Sequence, residues 1–246
     1  MIHPITPSDL REDILREIVY PDLERTYYWT DLWDPVFYIA LARAGFISIS
    51  HQDAELGTLL IPELQDRYAI LDWKNLHLSN QIQKRMRSKS FTEEEIELRV
   101  VRDPQRALDR ILAYHGHSST WLTEPYLELL AQLSNIGEGG FSLYGVELWS
   151  KKRDLLVAGE LGYSIGRTYT SLSGFCTRDD PKWTGFGTLQ MVLLARRLEE
   201  RGFAFWNMGH PKQPYKRALG ARLLDRATFL DRWLSARDER PERKLI

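Results

Sequence analysis

A glycine turn that opens a helical segment is the part of this sequence best suited to bind a reacting group. The turn is Gly185-Phe186-Gly187-Thr188, and apolar residues at helical spacing follow it as far as Gly202. The first N–H groups of a helix have no partner inside the helix, so they can bind a phosphate or a carbonyl oxygen. Gly185 and Gly187 are therefore predicted to bind substrate.

Cysteine and histidine chemistry is not favoured. The single cysteine, Cys176, has no base placed beside it in the sequence, which favours a small core thiol over a nucleophile. The six histidines show neither His-x-x-x-His nor His-Glu-x-x-His spacing. We therefore expect no metal site.

Composition limits the class of protein. The net charge is -1, from 33 basic and 34 acidic residues, so a nucleic-acid partner would have to be bound by local basic clusters. One cluster spans residues 84–89, and a second contains Lys212, Lys216, Arg217, Arg222 and Arg226. Each can instead be an ordinary solvated face. No apolar run approaches the roughly 20 residues of a membrane span, and no signal peptide precedes the first helix, so a cytoplasmic location with no membrane partner is expected.

The elements around the glycine turn form a regular order. Apolar runs predict strands over 155–165 and 168–176, and a charged loop over 178–182 leads to the turn. After the helix come a strand over 203–208, a further helix and a last strand. The sequence therefore predicts an α/β (α+β) fold whose glycine turn links two strands through a long helix.

The rest of the chain predicts a second, smaller unit. A helix over 36–44 and strands over 46–50, 59–61 and 68–71 form a small α/β module, and a basic helix follows Ser79. We place a small N-terminal α/β domain at 1–95, a catalytic domain at 96–234 and a charged tail at 235–246. Four aromatic residues at positions 27–33 are interpreted as core packing or, alternatively, as a stacking platform.

The order strand, strand, glycine turn, helix, strand resembles the core of GNAT-type acyltransferases. Lys182-Trp183-Thr184-Gly185-Phe186-Gly187 also resembles the pyrophosphate-binding pattern of that superfamily. The resemblance implies a GNAT-like acyltransferase core whose strands splay to admit a carbonyl donor.

A closer resemblance extends over most of the chain and rests on eight short segments. They are Asp34-Pro35 through Ala44-Gly45-Phe46, Asp66-Arg67-Tyr68-Ala69-Ile70-Leu71, His77-Leu78-Ser79 with Lys84-Arg85, Thr120-Trp121-Leu122-Thr123, Glu147-Leu148-Trp149, Leu156-Val157-Ala158-Gly159, Leu219-Gly220-Ala221, and Arg226 with Phe229-Leu230. In this order they resemble segments of the leucyl/phenylalanyl-tRNA–protein transferase family, a GNAT-like fold preceded by a small N-terminal domain. The resemblance implies transfer of an aminoacyl group from tRNA to the N-terminal amine of a protein, within the N-end rule of protein degradation.

The departures from the family pattern fall where chemistry is expected. Asn207 and Gly209 stand where the family has an Asp-x-Gln pair beside the reacting groups. Ser173 stands where the family has the carboxylate of its Gly-Glu-Ser-Met-Phe-Ser segment. The resemblance therefore implies the reaction class but not leucine or phenylalanine as the group transferred.

Aminoacyl transfer needs a donor to the developing oxyanion and an acceptor for the proton of the amine. The amide of Asn207 can donate to an oxyanion, and His210 can take a proton, although a surface histidine beside Pro211 is the alternative. Both are predicted catalytic residues.

The resemblance also implies substrate-binding residues. Trp121 can stack on the terminal adenosine of tRNA or simply pack, and Arg67 can contact phosphate. Glu160 and Ser173 are predicted to face the substrate. A carboxylate at Glu160 would favour a cationic aminoacyl group or the substrate amine, and the alternative is a solvent-facing residue or one paired with Arg167.

Three functions are carried forward. The first is an aminoacyl-tRNA-dependent transferase with no bound cofactor, using aminoacyl-tRNA as co-substrate and a protein or peptide N-terminus as acceptor. The second is an acyl-CoA-dependent N-acetyltransferase that binds the pyrophosphate of acetyl-CoA at Gly185 and Gly187. The third is a non-catalytic member of the fold, which the loss of the Asp-x-Gln pair supports.

Overall fold

Helices and strands are mixed along the chain, with two runs of three consecutive strands at β3–β5 and β7–β9. The computed structural model describes residues 2–116, 121–177 and 180–246. The strands are β1 (His3–Pro4), β2 (Tyr28–Trp29), β3 (Ile47–Asp53), β4 (Gly57–Glu63), β5 (Arg67–Leu71), β6 (Ile96–Val101), β7 (Phe141–Ser150), β8 (Leu155–Ile165), β9 (Thr168–Cys176), β10 (Phe205–Asn207) and β11 (Arg222–Asp225). The helices are α1 (Glu12–Ile14), α2 (Pro35–Arg43), α3 (Asn80–Met86), α4 (Lys89–Glu93), α5 (Gln105–His115), α6 (Glu124–Ser134), α7 (Phe186–Glu200), α8 (Pro214–Ala218) and α9 (Arg226–Ala236). Thr120 of the predicted family segment and loop residues 178–179 lie outside the described residues.

A seven-stranded mixed sheet organises the fold. Its strand order is β11-β5-β10-β9-β8-β7-β6, with β3 and β4 forming a separate hairpin. All neighbours in the large sheet are antiparallel except β9 and β10, which are parallel and are joined through α7. This confirms the predicted α/β fold class and the order strand, strand, glycine turn, helix, strand.

Strand β5, from the first third of the chain, belongs to this sheet. It lies between β10 and β11 and pairs with both of them. The sheet therefore takes a strand from before residue 95, whereas the domain boundary between residues 95 and 96 stays a prediction.

Helices cover both faces of the sheet. Helix α7 packs on one face, where Leu189, Val192 and Leu198 are fully buried against residues such as Val146 and Ala158. On the other face α2, α5, α6 and α9 pack against Leu143, Tyr163, Phe205 and their neighbours. Each large apolar side chain buried in this way contributes about 1.5–3 kcal/mol to the free energy of folding.

Two of the four aromatic residues near the N-terminus pack against other rings, whereas Tyr27 is 41% exposed. Tyr28 lies edge-on to Phe46 with 5.5 Å between ring centroids, and Trp33 lies edge-on to Tyr126 at 6.2 Å. The interpretation as core packing is therefore confirmed for these two rings.

Arg226, from one of the family-like segments, fixes the start of the last helix by hydrogen bonds. Arg226 is 1% exposed, and its guanidinium donates to the main-chain carbonyls of Asp22, Arg25, Leu64 and Gln65. Such charge-assisted bonds offset the cost of burying the guanidinium and fix the start of α9 to the N-terminal third.

The segments around residues 77 and 220 are hydrogen-bonded to each other and packed closely together. The N–H of His77 donates to the carbonyl of Leu219 at 2.8 Å, and Gly220 has a φ of +108°. A Cβ on Gly220 would lie 1.8 Å from the carbonyl oxygen of Asn75, so only glycine fits this close approach.

The basic segment and the tail differ from the expected elements. The predicted single helix over 79–89 is two helices, α3 and α4, separated at Arg87-Ser88. At the other end α9 runs on to Ala236, and Leu245 is fully buried within the predicted charged tail.

Candidate functional site

The parallel strands β9 and β10 stop pairing near the centre of the sheet. Their pairing runs from Thr168 opposite Phe205 to Thr170 opposite Asn207. Beyond that point β9 continues to Cys176, whereas the chain after Asn207 turns towards β5, where Met208 N–H donates to the carbonyl of Ala69. In the part of the chain that the structure describes, β9 thus runs on from Ser171 without pairing to β10. We call this place the opening.

A buried carboxylate lies beside the opening on the face covered by α7. Glu160 of β8 is 4% exposed, and its Oε1 accepts hydrogen bonds from the hydroxyls of Ser171 at 2.8 Å and Tyr169 at 3.0 Å. Its Oε2 accepts from Nε2 of Gln190 on α7 at 3.3 Å. The indole of Trp206 donates to Oγ of Ser171 at 2.8 Å, which extends the network to β10. We call these five residues the Glu160 network.

Burial sets the electrostatics of the Glu160 network. Loss of hydration raises the pKa of Glu160 to about 7, although its three donors and the positive charge of Lys216 oppose that rise. Loss of hydration lowers the pKa of the Lys216 ammonium to about 8, and the charge of Glu160 opposes that fall. Both groups therefore titrate near neutral pH.

The alternative suggested for Glu160 is wrong. The residue is neither exposed nor paired with Arg167, whose guanidinium binds the carboxylate of Glu239 at 2.6 Å and the carbonyl of Gly202 at 3.0 Å. Arg167 lies in the turn between β8 and β9, whereas Glu160 lies in the middle of β8. Their closeness in the sequence therefore does not bring the two side chains together.

A glycine makes room for the Glu160 network. A Cβ on Gly162 would lie 2.2 Å from the hydroxyl oxygen of Tyr169. The phenol of Tyr169 can reach Glu160 only because β8 carries no side chain at this position.

The predicted catalytic residues follow the end of the pairing. Asn207 is 1% exposed, and its Oδ1 accepts the N–H of Gly209 at 2.9 Å across a turn in which Gly209 has a φ of +71°. His210 is partly exposed; its Nδ1 accepts from the N–H of Lys212 at 3.3 Å, and its carbonyl accepts from Nζ of Lys216 at 2.7 Å. The roles predicted for Asn207 and His210 stay predictions.

Alternation along the strands separates the predicted residues between two faces. Trp206 belongs to the Glu160 network, so its neighbour Asn207 points to the opposite face, which α5 covers. Ser173 also lies on that face: it pairs with the core residue Leu161, and its Oγ lies 3.4 Å from Nε2 of His115 on α5. Glu160 and Asn207 therefore do not share one surface of the sheet.

The glycine turn lies against the unpaired half of β9. Gly185 precedes the first residue of α7 with a φ of +81°, and a Cβ on Gly187 would contact the Cβ of Cys176 at 3.4 Å. The N-terminus of α7 thus lies beside the unpaired half of β9, and the substrate-binding roles of Gly185 and Gly187 stay predictions. The nearby Lys182 is already paired with the carboxylate of Glu94.

The remaining predicted residues lie further out. The indole of Trp121 packs edge-on against Tyr126 with 5.0 Å between ring centroids. Arg67 is exposed at the start of β5, opposite Asp225 of β11. Their roles in tRNA binding stay predictions.

Cys176, at the end of β9, is partly buried. Burial raises the pKa of the Cys176 thiol, which disfavours the thiolate. Within residues 2–116, 121–177 and 180–246, no group of three His, Cys, Asp or Glu side chains is placed to hold a metal ion. No helix in the same ranges is long and apolar enough to cross a membrane.

Sequence reasoning missed five residues that surround Glu160. They are Tyr169, Ser171, Gln190 and Trp206, together with Lys216, which was seen only as part of a basic cluster. Gln190 could have been noticed in the sequence, because it is a polar residue within the apolar stripe of α7. In the structure its side chain is 2% exposed. A buried amide needs a polar partner inside the protein.

Comparison with known proteins shows which family the chain resembles. The family model for leucyl/phenylalanyl-tRNA protein transferase matches residues 70–233. The leucyl/phenylalanyl-tRNA--protein transferase of Maridesulfovibrio salexigens is 27% identical over 172 residues, which are 68% of this chain and 63% of that relative. The chain thus aligns with less than two thirds of the length of that relative.

Solved structures show weaker likeness. FemX aligns with a TM-score of 0.47 and 11% identity over 88% of this chain and 75% of its own. The L-PGS of Bacillus licheniformis aligns with a TM-score of 0.43 and 15% identity over 92% of this chain and 80% of its own.

The family match begins in β5 and ends in α9, so it includes the opening, the Glu160 network and α7. It extends over more than half of the chain, and two of the segments that resemble the family in sequence, around residues 77 and 220, are hydrogen-bonded to each other. The chain belongs to the leucyl/phenylalanyl-tRNA protein transferase family.

Proposed function

We propose that this protein transfers an aminoacyl group from tRNA to the N-terminal amine of a protein or peptide. The observation that carries the proposal is the family match over residues 70–233, which includes both strands of the opening. The relative from Maridesulfovibrio salexigens bears the name of the same activity.

The geometry of the opening suits this chemistry. An aminoacyl ester of tRNA is already activated, so the protein must mainly position the ester carbonyl against the amine and exclude water. The unpaired stretch of β9 offers backbone N–H and C=O groups to a substrate laid alongside it, as an added strand would be bound. The start of α7 at Gly185 and Gly187 adds N–H groups that can bind an oxygen carrying developing negative charge.

The substrates follow from the same proposal. Aminoacyl-tRNA is the co-substrate, a protein or peptide N-terminus is the acceptor, and the proposed reaction uses no bound cofactor or metal. We further propose a place in the N-end rule of protein degradation and a cytoplasmic location. The group transferred is not taken from the family name, because Asn207, Gly209 and Ser173 replace the residues expected there.

A transfer assay tests the proposal. Transfer RNA charged in turn with each radiolabelled amino acid is incubated with the protein and with peptides that differ at the N-terminal residue. We expect label in the peptide from at least one charged tRNA. A parallel reaction with labelled acetyl-CoA covers the N-acetyltransferase alternative. Label from acetyl-CoA alone, or from no donor, contradicts the proposed function.

The predicted catalytic pair is tested in the same assay. Asn207→Ala combined with His210→Ala removes the amide and the imidazole that follow β10, and Asn207 Oδ1 also holds the turn at Gly209. We expect a fall in transfer rate of about 10²-fold or more, the usual effect of removing a positioned donor or proton acceptor. An unchanged rate in a folded double variant would place the chemistry elsewhere.

A further inference from the structure

A lysine on α8 is buried near the point where the pairing of β9 and β10 ends. Lys216 on α8 is 7% exposed, and its Nζ donates to the carbonyl of His210 at 2.7 Å. Lysine is rarely buried to this extent without a carboxylate bound directly to it. Among the described residues, the ion pairs at or below 4.0 Å do not include Lys216.

The position of its ammonium follows from its two partners. The carbonyl of His210 belongs to the chain just after β10, whereas Glu160, whose charge acts on Lys216, belongs to β8. Strand β9 lies between β8 and β10, and it runs on alone from Ser171. The bond to His210 therefore places the ammonium beside the chain three residues beyond the last β9–β10 pair, where the charge of Glu160 also acts on it.

We propose that Lys216 is a catalytic residue of the transfer, whose neutral amine takes a proton from the attacking N-terminal amine and whose ammonium returns that proton to the leaving ribose oxygen. This inference rests on the proposed function and gives Lys216 the role predicted for His210. In the step, the amine nitrogen forms a bond to the ester carbonyl carbon and the bond from that carbon to the ribose oxygen breaks. One proton passes from nitrogen to ribose oxygen by way of Lys216, so atoms and charge balance.

The surroundings of Lys216 suit a proton acceptor. Loss of hydration lowers its pKa to about 8, so about a tenth of the side chain is neutral at pH 7. A surface lysine, with a pKa near 10.4, would be neutral far more rarely. The titratable groups around it are Glu160 on β8, whose charge acts on it, and Tyr215, whose ring centroid lies 6.0 Å from Nζ; His210 contacts it through the main-chain carbonyl, and Tyr169 donates to Glu160.

Glu160 acts on the reaction through Lys216 and is a positioning residue. Its negative charge favours the ammonium form of Lys216, so it tunes the pH at which the amine becomes neutral. Glu160→Gln keeps an oxygen that can accept from Tyr169 and Ser171, but it removes the charge. The variant should therefore shift the rising limb of the pH–rate profile of the enzyme to lower pH without abolishing transfer.

The test compares single-turnover transfer rates from pH 6 to pH 9 for the wild type, Lys216→Arg and Lys216→Met. Arginine keeps a cation that can donate to the carbonyl of His210 but cannot accept a proton in this range. We expect both variants to be about 10²-fold slower or more at pH 8. The ratio of wild-type to variant rate should rise about tenfold per pH unit up to about pH 8 and then level off. Using the ratio cancels the titration of the acceptor amine, which ionises near the same pH.

The control is Arg240→Met, which removes one positive charge from an exposed site, and its ratio to wild type should stay near one at every pH. Circular dichroism and urea unfolding check that each variant folds. If folded Lys216→Arg transfers within about threefold of the wild type, or if its ratio does not depend on pH, the role assigned to Lys216 is wrong. A wild type that transfers from no charged tRNA overturns the proposed function and this inference with it.

Discussion

Glu160 keeps its proton at a pH where most protein carboxyl groups have lost theirs. Because the folded state binds this proton more tightly than the unfolded state, the stabilisation is complete below pH 4.5 and is lost as the pH rises to about 7. Glu160→Gln removes the titration. We expect the difference in free energy of unfolding between Glu160→Gln and the wild type to move by about 3 kcal/mol in favour of the variant between pH 4.5 and pH 8.

Urea unfolding of both proteins at the two pH values measures this difference. Ser134→Ala is a suitable control, since its hydroxyl donates to the carbonyl of Ala131 in its own helix and does not titrate. A difference between Glu160→Gln and the wild type that is equal at both pH values would mean that the pKa of Glu160 is the same in the folded and the unfolded protein.

At the same scale, sequence reasoning found the residue but not its partners. Glu160 could be singled out because a carboxylate inside an apolar strand is unusual. Tyr169, Ser171 and Gln190 could not be assigned to it, because β-strand register and the position of α7 decide which hydroxyls and amides meet. The division of Glu160 and Asn207 between opposite faces likewise depends on which residues of β10 pair with β9.

At the scale of the elements, the contact between the chain around Gly220 and the segment before α3 leaves no room for a side chain at Gly220. Gly220→Ala should destabilise the protein by more than about 3 kcal/mol, because the added methyl group would overlap the carbonyl oxygen of Asn75 at a positive φ. Gly57→Ala is a matched control, since Gly57 has a φ of +79° but open space around its Cβ position. The control should lose only about 1 kcal/mol.

The two midpoints of unfolding in urea give the comparison. Equal losses for Gly220→Ala and Gly57→Ala would mean that backbone strain alone acts at Gly220 and that the segment at Asn75 moves aside freely. Loss of the bond from His77 to Leu219 would accompany the larger effect and is measurable as faster amide exchange at His77.

The strongly periodic elements were predicted well, and the long-range pairings were not. The bounds of β8 and β9 agree with the predicted 155–165 and 168–176, because apolar runs bounded by turn residues define a strand locally. The place of β5 between β10 and β11 has no local signal, since it depends on segments far away in the chain. The break between α3 and α4 was missed because charged residues continue through it.

The net charge of the whole molecule is close to zero, so long-range electrostatic attraction between the protein and RNA is weak. Under the proposed function, affinity for aminoacyl-tRNA must come from local clusters such as the exposed Lys84, Arg87 and Lys89 around α3 and α4. For roughly three phosphate contacts to single-stranded RNA, raising salt from 50 to 200 mM should weaken binding about twentyfold.

Fluorescence anisotropy with a labelled aminoacyl-tRNA at several salt concentrations measures this slope. Lys84→Met should reduce the slope by about 0.7, the share of one phosphate contact, whereas Arg11→Met, at a site paired with Asp13, should leave it unchanged. An identical slope for Lys84→Met and the wild type would show that the tRNA binds another surface.

The insertion of β5 between β10 and β11 has a consequence for how the protein folds. Strands β10 and β11 are joined in the sheet only through β5, which lies much earlier in the sequence. The sheet therefore has a high contact order on this side. Pairing β5 with β10 and β11 costs the entropy of closing a long loop before the contacts between these strands stabilise the protein. A fragment that starts after residue 95 would leave the outer edge of β10 bare, the kind of edge that recruits strands from other chains, so truncated forms are expected to aggregate where the longer chain folds.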